Sequence, residues 1–375
     1  MKLKISNEAK DLIAQRKQVM RDLWSGKPVD AIPVDIRYEA DRIGTVRAVT
    51  VDGDKQLEMA MRNAQETLER LHLTDAIPAM RPDVGCSCIA SAFGAEYYWG
   101  ANEDSTPGVK NYLIPDIEDG IDMLPDPEVT DGWLGEGMKR IARFAEAGEG
   151  IIPISLLDTA GGVNVAADLL STTGLMEAFY IAPEEVKALL HKIQTFLLKV
   201  VDASVEAAGG EEYITTTDFV DLWFPEGRKG HISDDMCAMF GPQIYDEFSA
   251  PYHSMLYQKY GCGGLHNCGP NPCAERYVAQ EFSPRCIDLA YAYSKDDLPF
   301  LKQAFRQKAF IYLYWDGVAD PVEWYRQVVD IMAGEVLILP SFSFSPKEVD
   351  TEDLYRKLHA ISREQAAQMK WGYRD

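Results

Sequence analysis

Short apolar segments alternate with helix-like stretches along almost the whole chain of 375 residues. Eight segments are bounded by polar residues, glycine or proline, as buried strands are. They are Ala31–Ile36, Asp75–Ala79, Gly150–Leu156, Glu212–Thr216, Gly263–His266, Arg285–Leu289, Phe310–Tyr314 and Val336–Leu339. Strands that alternate with helices predict an α/β fold with a parallel sheet closed as a single (β/α)8 TIM barrel. An open doubly wound sheet is the alternative, and no Gly-x-Gly-x-x-Gly turn supports it.

Helical patterns fill the intervals between these strands, and several begin with Asp, Asn, Thr or Pro, which favour helix starts. The predicted helices are Lys55–Leu71, Trp133–Ala147, Pro183–Ala208, Pro242–Tyr260, Asn271–Gln280, Asp297–Gln307, Pro321–Ala333 and Thr351–Lys370. The amphipathic stretch Ala9–Trp24 predicts an N-terminal helical extension over residues 1–30. Because no repeat or long linker interrupts the chain, we expect residues 1–375 to form one barrel domain.

The composition restricts the function classes. With 46% apolar and 26% charged residues, the chain has the material for a buried core. The net charge of −22, without clustered Lys and Arg, argues against binding nucleic acid or an anionic membrane. No signal peptide or transmembrane stretch is evident, so we expect a cytoplasmic protein. Seven cysteines, an odd number, are typical of free thiols or metal ligands in such a compartment.

The run Leu265-His266-Asn267-Cys268-Gly269-Pro270 places an imidazole and a thiol at the end of the fifth predicted strand. Side chains at positions i and i+2 of an extended segment share one face, so both can reach one metal ion. Catalytic groups of barrels lie on the loops after the strands. We therefore predict that His266 and Cys268 bind zinc, although a buried histidine beside a small packed cysteine is the alternative.

Acidic residues follow several predicted strands. Asp234 and Asp235 precede a short helix, which one of them is expected to cap while the other faces the barrel mouth. Asp83 follows Pro82 and is interpreted either as a turn residue or as an active-site carboxylate. Asp158 precedes a Gly pair and is interpreted either as a ligand contact or as a helix cap.

Two other side chains are candidate substrate contacts. Arg37, after the first strand, is suited to a substrate carboxylate or phosphate, but an ion pair with Glu39 or Asp41 explains it equally well. Tyr291, after the sixth strand, is placed to stack on a planar ligand, although loop aromatics usually pack the loop down.

Two segments together resemble the uroporphyrinogen decarboxylase superfamily. The first is Phe240–Tyr252, preceded by Asp234-Asp235-Met236, which is similar to the family's Asp, Ser/Gly-Pro and Phe-x-x-Pro-Tyr pattern. The second is the His-x-Cys-Gly motif that begins at His266. The segment Asp83–Gly94 also resembles the family's loop after the second strand, whose Asp serves the decarboxylases. Together with the alternation of predicted strands and helices, the resemblance covers residues 31–370 and implies a barrel.

The superfamily has two chemically distinct branches. Decarboxylases use paired arginines after the first strand, to which Arg37 and Arg42 are similar except in their spacing. They also use a late histidine, whereas Leu339–Pro346 contains none. The corrinoid-dependent methyltransferases resemble this chain in the His-x-Cys-Gly motif. In that branch zinc binds a substrate thiol as thiolate, which attacks the methyl group of a methylated corrinoid.

The methyltransferase branch holds zinc with a further Cys after the eighth strand, where this chain has Phe342 and Ser343. Three replacements remain open. They are the carboxylate of Asp235, which we favour, the thiol of Cys273, and the thiol of Cys86 or Cys88. Loss of the metal is the fourth alternative.

The resemblance therefore implies a zinc-dependent methyltransferase that exchanges a methyl group between a small substrate and a corrinoid on a partner carrier protein. Asp235 and Asp83 are the expected catalytic residues, and Arg37, Asp158 and Tyr291 are the expected substrate contacts. Two rival hypotheses are a metal-free lyase acting on a carboxylated substrate and a non-catalytic barrel that binds a tetrapyrrole or corrinoid.

Overall fold

The computed structural model describes residues 2–373 and is built around parallel strands. The strands are β1 Asp35–Tyr38, β2 Tyr97–Tyr98, β3 Gly108–Val109, β4 Gly230–Ser233, β5 Cys262–His266, β6 Cys286–Ala290, β7 Phe310–Tyr314 and β8 Ile338–Phe344. Six of them form one sheet in the order β1-β8-β7-β6-β5-β4. β2 and β3 form a separate antiparallel hairpin.

The remaining side of the ring is closed by isolated parallel bridges rather than by full strands. Met80 pairs with Ile154, and Ile154 pairs with Ile214. Ile154 and Ile214 lie in two of the predicted strands, and Met80 directly follows a third, Asp75–Ala79. Pro78 and Pro153 carry no backbone N–H for a ladder, which shortens the two segments that contain them. The amide of Asp75 donates to the carbonyl of Val34 at 2.9 Å, which connects this side to β1. The predicted α/β TIM barrel is confirmed.

Strand β4 was not predicted, because Gly-His-Ile-Ser contains only one apolar side chain and so lacks the apolar run of a buried strand. Thr217, three residues after the bridge residue Ile214, connects β4 to this side of the barrel. The Thr217 amide donates to the carbonyl of Lys229 at 2.9 Å, and Thr217 Oγ1 accepts from the amide of His231 at 2.8 Å. A threonine side chain thus replaces part of the backbone ladder at this point of the ring.

Sixteen helices surround the strands in the described residues 2–373. They are α1 Asn7–Trp24, α2 Val46–Thr50, α3 Gly53–Glu69, α4 Cys88–Ala92, α5 Ile117–Gly120, α6 Gly132–Ala147, α7 Gly161–Leu170, α8 Thr172–Ile181, α9 Pro183–Ala207, α10 Pro242–Phe248, α11 Ala250–Tyr260, α12 Ala274–Tyr277, α13 Tyr291–Ser294, α14 Leu298–Phe305, α15 Pro321–Met332 and α16 Thr351–Gln368.

Two predicted helices differ from the observed ones. The stretch Pro242–Tyr260 is divided at Ser249, because Pro251 cannot donate to the carbonyl one turn earlier. The stretch Asn271–Gln280 is reduced to α12, because the amide of Asn271 is bound by the carboxylate of Asp297 at 2.8 Å and its side chain by Ser294. These bonds hold the preceding loop in a turn.

The N-terminal extension packs against the amino-terminal end of the barrel. The indole of Trp24 at the end of α1 contacts Phe310, the first residue of β7, with 5.0 Å between ring centroids. This end is closed by apolar packing, so the carboxyl ends of the strands form the accessible mouth. No helix among residues 2–373 has both the length and the apolar character needed to cross a membrane.

Candidate metal centre

Three potential metal-binding side chains meet at the carboxyl ends of β4 and β5. His266 ends β5, Cys268 follows it, and Asp235 follows β4. One ligand atom of each lies within 4.8 Å of those of the other two. The pairing register places Ser233 of β4 beside His266, so the residues after the two strands face the same space.

The two distances from His266 to the other donors suit a tetrahedral ion. His266 Nε2 lies 3.3 Å from Cys268 Sγ and 3.7 Å from an oxygen of Asp235. Ligands bound to zinc at 2.0–2.3 Å stand about 3.3–3.8 Å apart in a regular tetrahedron. His266 is almost fully buried, whereas the Asp235 side chain is 45% exposed. Three protein donors and an exposed side are the arrangement of a catalytic zinc site.

The Asp235 carboxylate is held in place by two hydrogen bonds. The amide of Cys268 donates to Asp235 Oδ1 at 2.8 Å, and Ser233 Oγ donates to Asp235 Oδ2 at 3.2 Å. The neighbouring carboxylate has a different position: Asp234 caps the following 3₁₀ turn and lies 3.2 Å from His253. The structure therefore separates the two adjacent aspartates into a cap and a cluster member.

Behind the cluster lies a buried relay of four side chains, which are Asp218, His231, Asp288 and His266. His266 Nδ1 and Asp288 Oδ2 are 2.6 Å apart, and Asp288 Oδ1 lies 2.6 Å from His231 Nε2. His231 Nδ1 faces Asp218 Oδ2 at 3.5 Å. The bond to Asp288 directs Nδ1 of His266 away from the cluster and leaves Nε2 toward Cys268.

The charges within the relay shift the pKa values of its members. Burial raises the pKa of Asp288, but the two flanking histidines outweigh burial and hold it at about 2. Burial lowers the pKa of His231, yet Asp288 and Asp218 together bring it to about 9. For His266 burial is likewise outweighed by Asp288, and its pKa lies well above the usual value.

Sequence reasoning missed His231, Asp288 and Asp218. The available signal was Asp288, a lone acidic residue within the apolar strand Cys286-Ile287-Asp288-Leu289-Ala290. A buried charge inside a strand demands partners, and histidines on adjacent strands are able to supply them.

Phe219 covers one side of the cluster. Its ring stands at 81° to that of His266, with centroids 5.1 Å apart, and the Arg81 guanidinium lies 4.9 Å from the same phenyl centroid. Arg81 approaches Asp83 at 3.4 Å and Asp158 at 4.0 Å. Arg81 and Asp83 also line a neighbouring cavity, so these side chains lie between the cluster and that cavity.

The cavity has a volume of about 510 Å³ and lies beneath α2 and α3 at the barrel mouth. Its lining includes Arg37, Arg42, Asp83 and Ser343. Arg37 donates to Asp35 Oδ2 at 3.0 Å and to the carbonyl of Asp221 at 3.0 Å. The partners expected in the ion-pair interpretation, Glu39 and Asp41, instead bind Ser343 and Lys347.

Asp83 and Asp158 both support turns at the edge of the mouth. Asp83 Oδ1 accepts from the amide of Gly85 at 2.8 Å, and Asp158 Oδ1 accepts from the amide of Ala160 at 3.1 Å. Burial, followed by the charge of Asp218, raises the pKa of Asp158 to about 7. The Asp158 carboxyl group is therefore partly protonated at neutral pH.

The other candidates lie outside the cluster. Tyr291 begins α13 and packs edge-on against Trp324, with centroids 5.5 Å apart. The thiol of Cys273 donates to the carbonyl of Phe240, and the thiol of Cys88 donates to the carbonyl of Asp158. Phe342 is buried in the core. Of the three proposed replacements for the missing cysteine, only Asp235 belongs to the cluster.

Comparison with known proteins finds similarity only in three dimensions: no protein-family model and no curated protein matches the chain. A methyltransferase from Methanosarcina mazei has the same fold, with 18% sequence identity and a TM-score of 0.63 over 93% of this chain and 98% of that one. A B12-independent methionine synthase from Shewanella sp. W3-18-1 aligns with 61% of this chain and 65% of its own, at 11% identity and a TM-score of 0.36. This likeness shows the barrel fold, as the order of strands and helices in the sequence predicts.

Proposed function

We propose that the protein is a zinc-dependent methyltransferase that exchanges a methyl group between a small substrate and a corrinoid carried by a partner protein. The observation that supports this proposal most strongly is the convergence of His266, Cys268 and Asp235 at the mouth of the barrel, with donor distances that suit zinc. The shared fold of a methyltransferase is consistent with it.

His266, Cys268 and Asp235 would hold the ion through nitrogen, sulfur and oxygen. A zinc ion at this position would lower the pKa of a substrate thiol and so provide a nucleophilic thiolate at neutral pH. The protein's own contribution is to hold the donors in place. Asp288 orients His266, the Cys268 amide and Ser233 orient Asp235, and Phe219 excludes water from one side.

The proposed substrate enters from the exposed side of Asp235. Asp83 and Asp158 would line its path, and the cavity beneath α2 and α3 would accept a larger substituent. The direction of methyl transfer and the methyl donor depend on the partner protein, for which we propose a corrinoid carrier.

The direct test is an anaerobic assay with methylcobalamin and a series of small thiols, which follows the absorbance of the corrinoid. The proposal expects zinc-dependent demethylation that is lost in the Cys268→Ala variant. Demethylation that is equally fast after zinc removal would contradict it.

A metal-free lyase acting on a carboxylated substrate is the second candidate. One observation favours it: Arg37, Arg42 and Asp83 all line the same cavity. However, Arg37 is bound by Asp35, and Arg42 pairs with Asp104 at 3.2 Å. Release of carbon dioxide from carboxylated substrates after complete chelation would favour this candidate over the methyltransferase.

A further inference from the structure

We infer that His231, whose imidazole bonds to Asp288 rather than to a proposed metal ligand, is a positioning residue that sets the affinity of the site for its metal ion through Asp288. This inference rests on the proposed function, because it assumes that His266 binds a metal. It assigns the orientation of the ligand His266 to two residues that do not bind the metal, His231 on β4 and Asp288 on β6.

The first step is the sharing of one carboxylate between two histidines. Asp288 presents one oxygen to His266 and the other to His231, each at 2.6 Å. A carboxylate bonded at only one oxygen is free to rotate about its terminal torsion, whereas two bonds in opposite directions fix its plane. The bond between His231 and Oδ1 therefore helps to fix how Asp288 presents Oδ2 to His266, and the Tyr314 hydroxyl lies 3.5 Å from the same Oδ2.

The second step is the path that lets His231 reach Asp288. His231 lies on β4 and Asp288 on β6, so the imidazole must span the intervening strand β5. It crosses at Gly264, which pairs with His231 in the register. A Cβ atom at Gly264 would lie 2.5 Å from His231 Cδ2, which is closer than side chains pack. The glycine thus leaves the space that the relay needs.

The third step is the anchoring of His231 itself. Its side chain is fully buried, and Asp218 faces its second nitrogen. Asp218 is fixed in turn, because its Oδ1 accepts from the amide of Thr159 at 3.1 Å. The approach of Asp218 to His231 Nδ1 at 3.5 Å is longer than the two bonds of Asp288, so His231 is held mainly by Asp288 and by its burial.

Partners of metal-binding histidines typically change metal affinity by about 10- to 100-fold when they are removed. We expect a loss in that range for His231→Leu, which leaves Asp288 Oδ1 without the bond to His231, while Oδ2 keeps His266 and the Tyr314 hydroxyl at 3.5 Å. His231→Gln retains an N–H near the position of Nε2 and should recover part of the affinity. His231→Asn, which is too short to reach Asp288 but adds no bulk, serves as the second disrupting variant if His231→Leu does not fold.

The control is Tyr312→Phe. The Tyr312 hydroxyl is also buried in the barrel interior, where it bonds to Asp35 and Ser341 rather than to the relay. Zn²⁺ affinity is measured on each full-length protein by competition with a chromophoric chelator. The absorption spectrum of the Co²⁺-loaded protein reports the ligand geometry, and thermal unfolding of the metal-free protein reports folding.

Weakened Zn²⁺ binding in His231→Leu or His231→Asn, partial recovery in His231→Gln and unchanged binding in Tyr312→Phe would support the inference. Unchanged affinity in the disrupting variants, or equal weakening in Tyr312→Phe, would overturn it while leaving the metal site itself intact. Absence of Zn²⁺ binding by the wild type would overturn the proposed function and, with it, this inference.

Discussion

Phe219 stands edge-on to the ring of His266, with 5.1 Å between the ring centroids, and the Arg81 guanidinium lies 4.9 Å from the same phenyl centroid. The side chain comes from the segment 218–229, which connects the Ile214 bridge to β4. We expect a side chain at this position to limit the access of water to one side of the cluster.

We expect Phe219→Ala to release bound zinc to excess chelator faster than the wild type does, because the removed ring admits water beside His266. Since Phe219 is half-buried, the free energy of unfolding should fall by about 1–3 kcal/mol, less than for a fully buried phenylalanine. Stopped-flow chelation and chemical denaturation measure the two effects. Phe282→Ala, another half-buried phenylalanine, is the control, and equal release rates in both variants would contradict the role of Phe219.

Arg37 is expected to stabilise the fold whether or not it binds substrate. Arg37→Gln leaves Asp35, which is only 2% exposed, without its counter-charge, and we expect a loss of about 3–5 kcal/mol in unfolding free energy. Asp35→Asn in the same chain should recover part of the loss.

The exposed pair of Arg42 and Asp104 provides the comparison for Arg37. Arg42→Gln should cost less than about 1 kcal/mol. Denaturant titrations measure the unfolding free energy of the wild type, Arg37→Gln, Arg37→Gln with Asp35→Asn, and Arg42→Gln. An Arg37→Gln chain as stable as the wild type would argue that this arginine is held for a ligand rather than for Asp35.

Asp158 should make stability fall as pH rises. Burial and then Asp218 raise the pKa of Asp158 from 3.8 to about 7, so between these values the folded chain holds a proton that the unfolded chain has lost. This contribution is therefore fully present below pH 4 and is lost as pH rises toward 7. The neutral variant Asp158→Asn removes the dependence.

The unfolding free energy of Asp158→Asn, measured relative to the wild type, should rise by about 2–3 kcal/mol from pH 5 to pH 8. Urea titrations at both pH values provide the measurement. A difference that does not change with pH would show that the Asp158 pKa is not raised.

The sequence predicted best the parts of the barrel that consist of continuous apolar runs. The prediction Phe310–Tyr314 matches β7, because Phe-Ile-Tyr-Leu-Tyr has no polar interruption. The opposite side was harder to predict. There, prolines and the side-chain bonds of Thr217 replace the regular ladder, and such tertiary substitutions leave no periodic pattern in the sequence.

The candidate site was predictable only in part for a related reason. His266 and Cys268 share one face of one strand, so spacing alone brings them together. Asp235 and Asp288 join them through the alignment of three neighbouring strands, which no local pattern specifies. The sequence did predict that one of the paired aspartates would be free of capping. For the relay it offered only Asp288 within an apolar strand, and nothing in the local pattern pointed to His231 as its partner.

The most direct test of the account is the zinc content of the purified full-length protein after zinc loading, measured by plasma mass spectrometry. The wild type is compared with His266→Ala, Cys268→Ala and Asp235→Ala, and with Cys86→Ala as an exposed thiol outside the cluster. The account predicts close to one zinc ion per chain in the wild type and in Cys86→Ala, and a large loss in the other three variants. A wild type without zinc, or with a zinc content that the three cluster variants do not change, would contradict it.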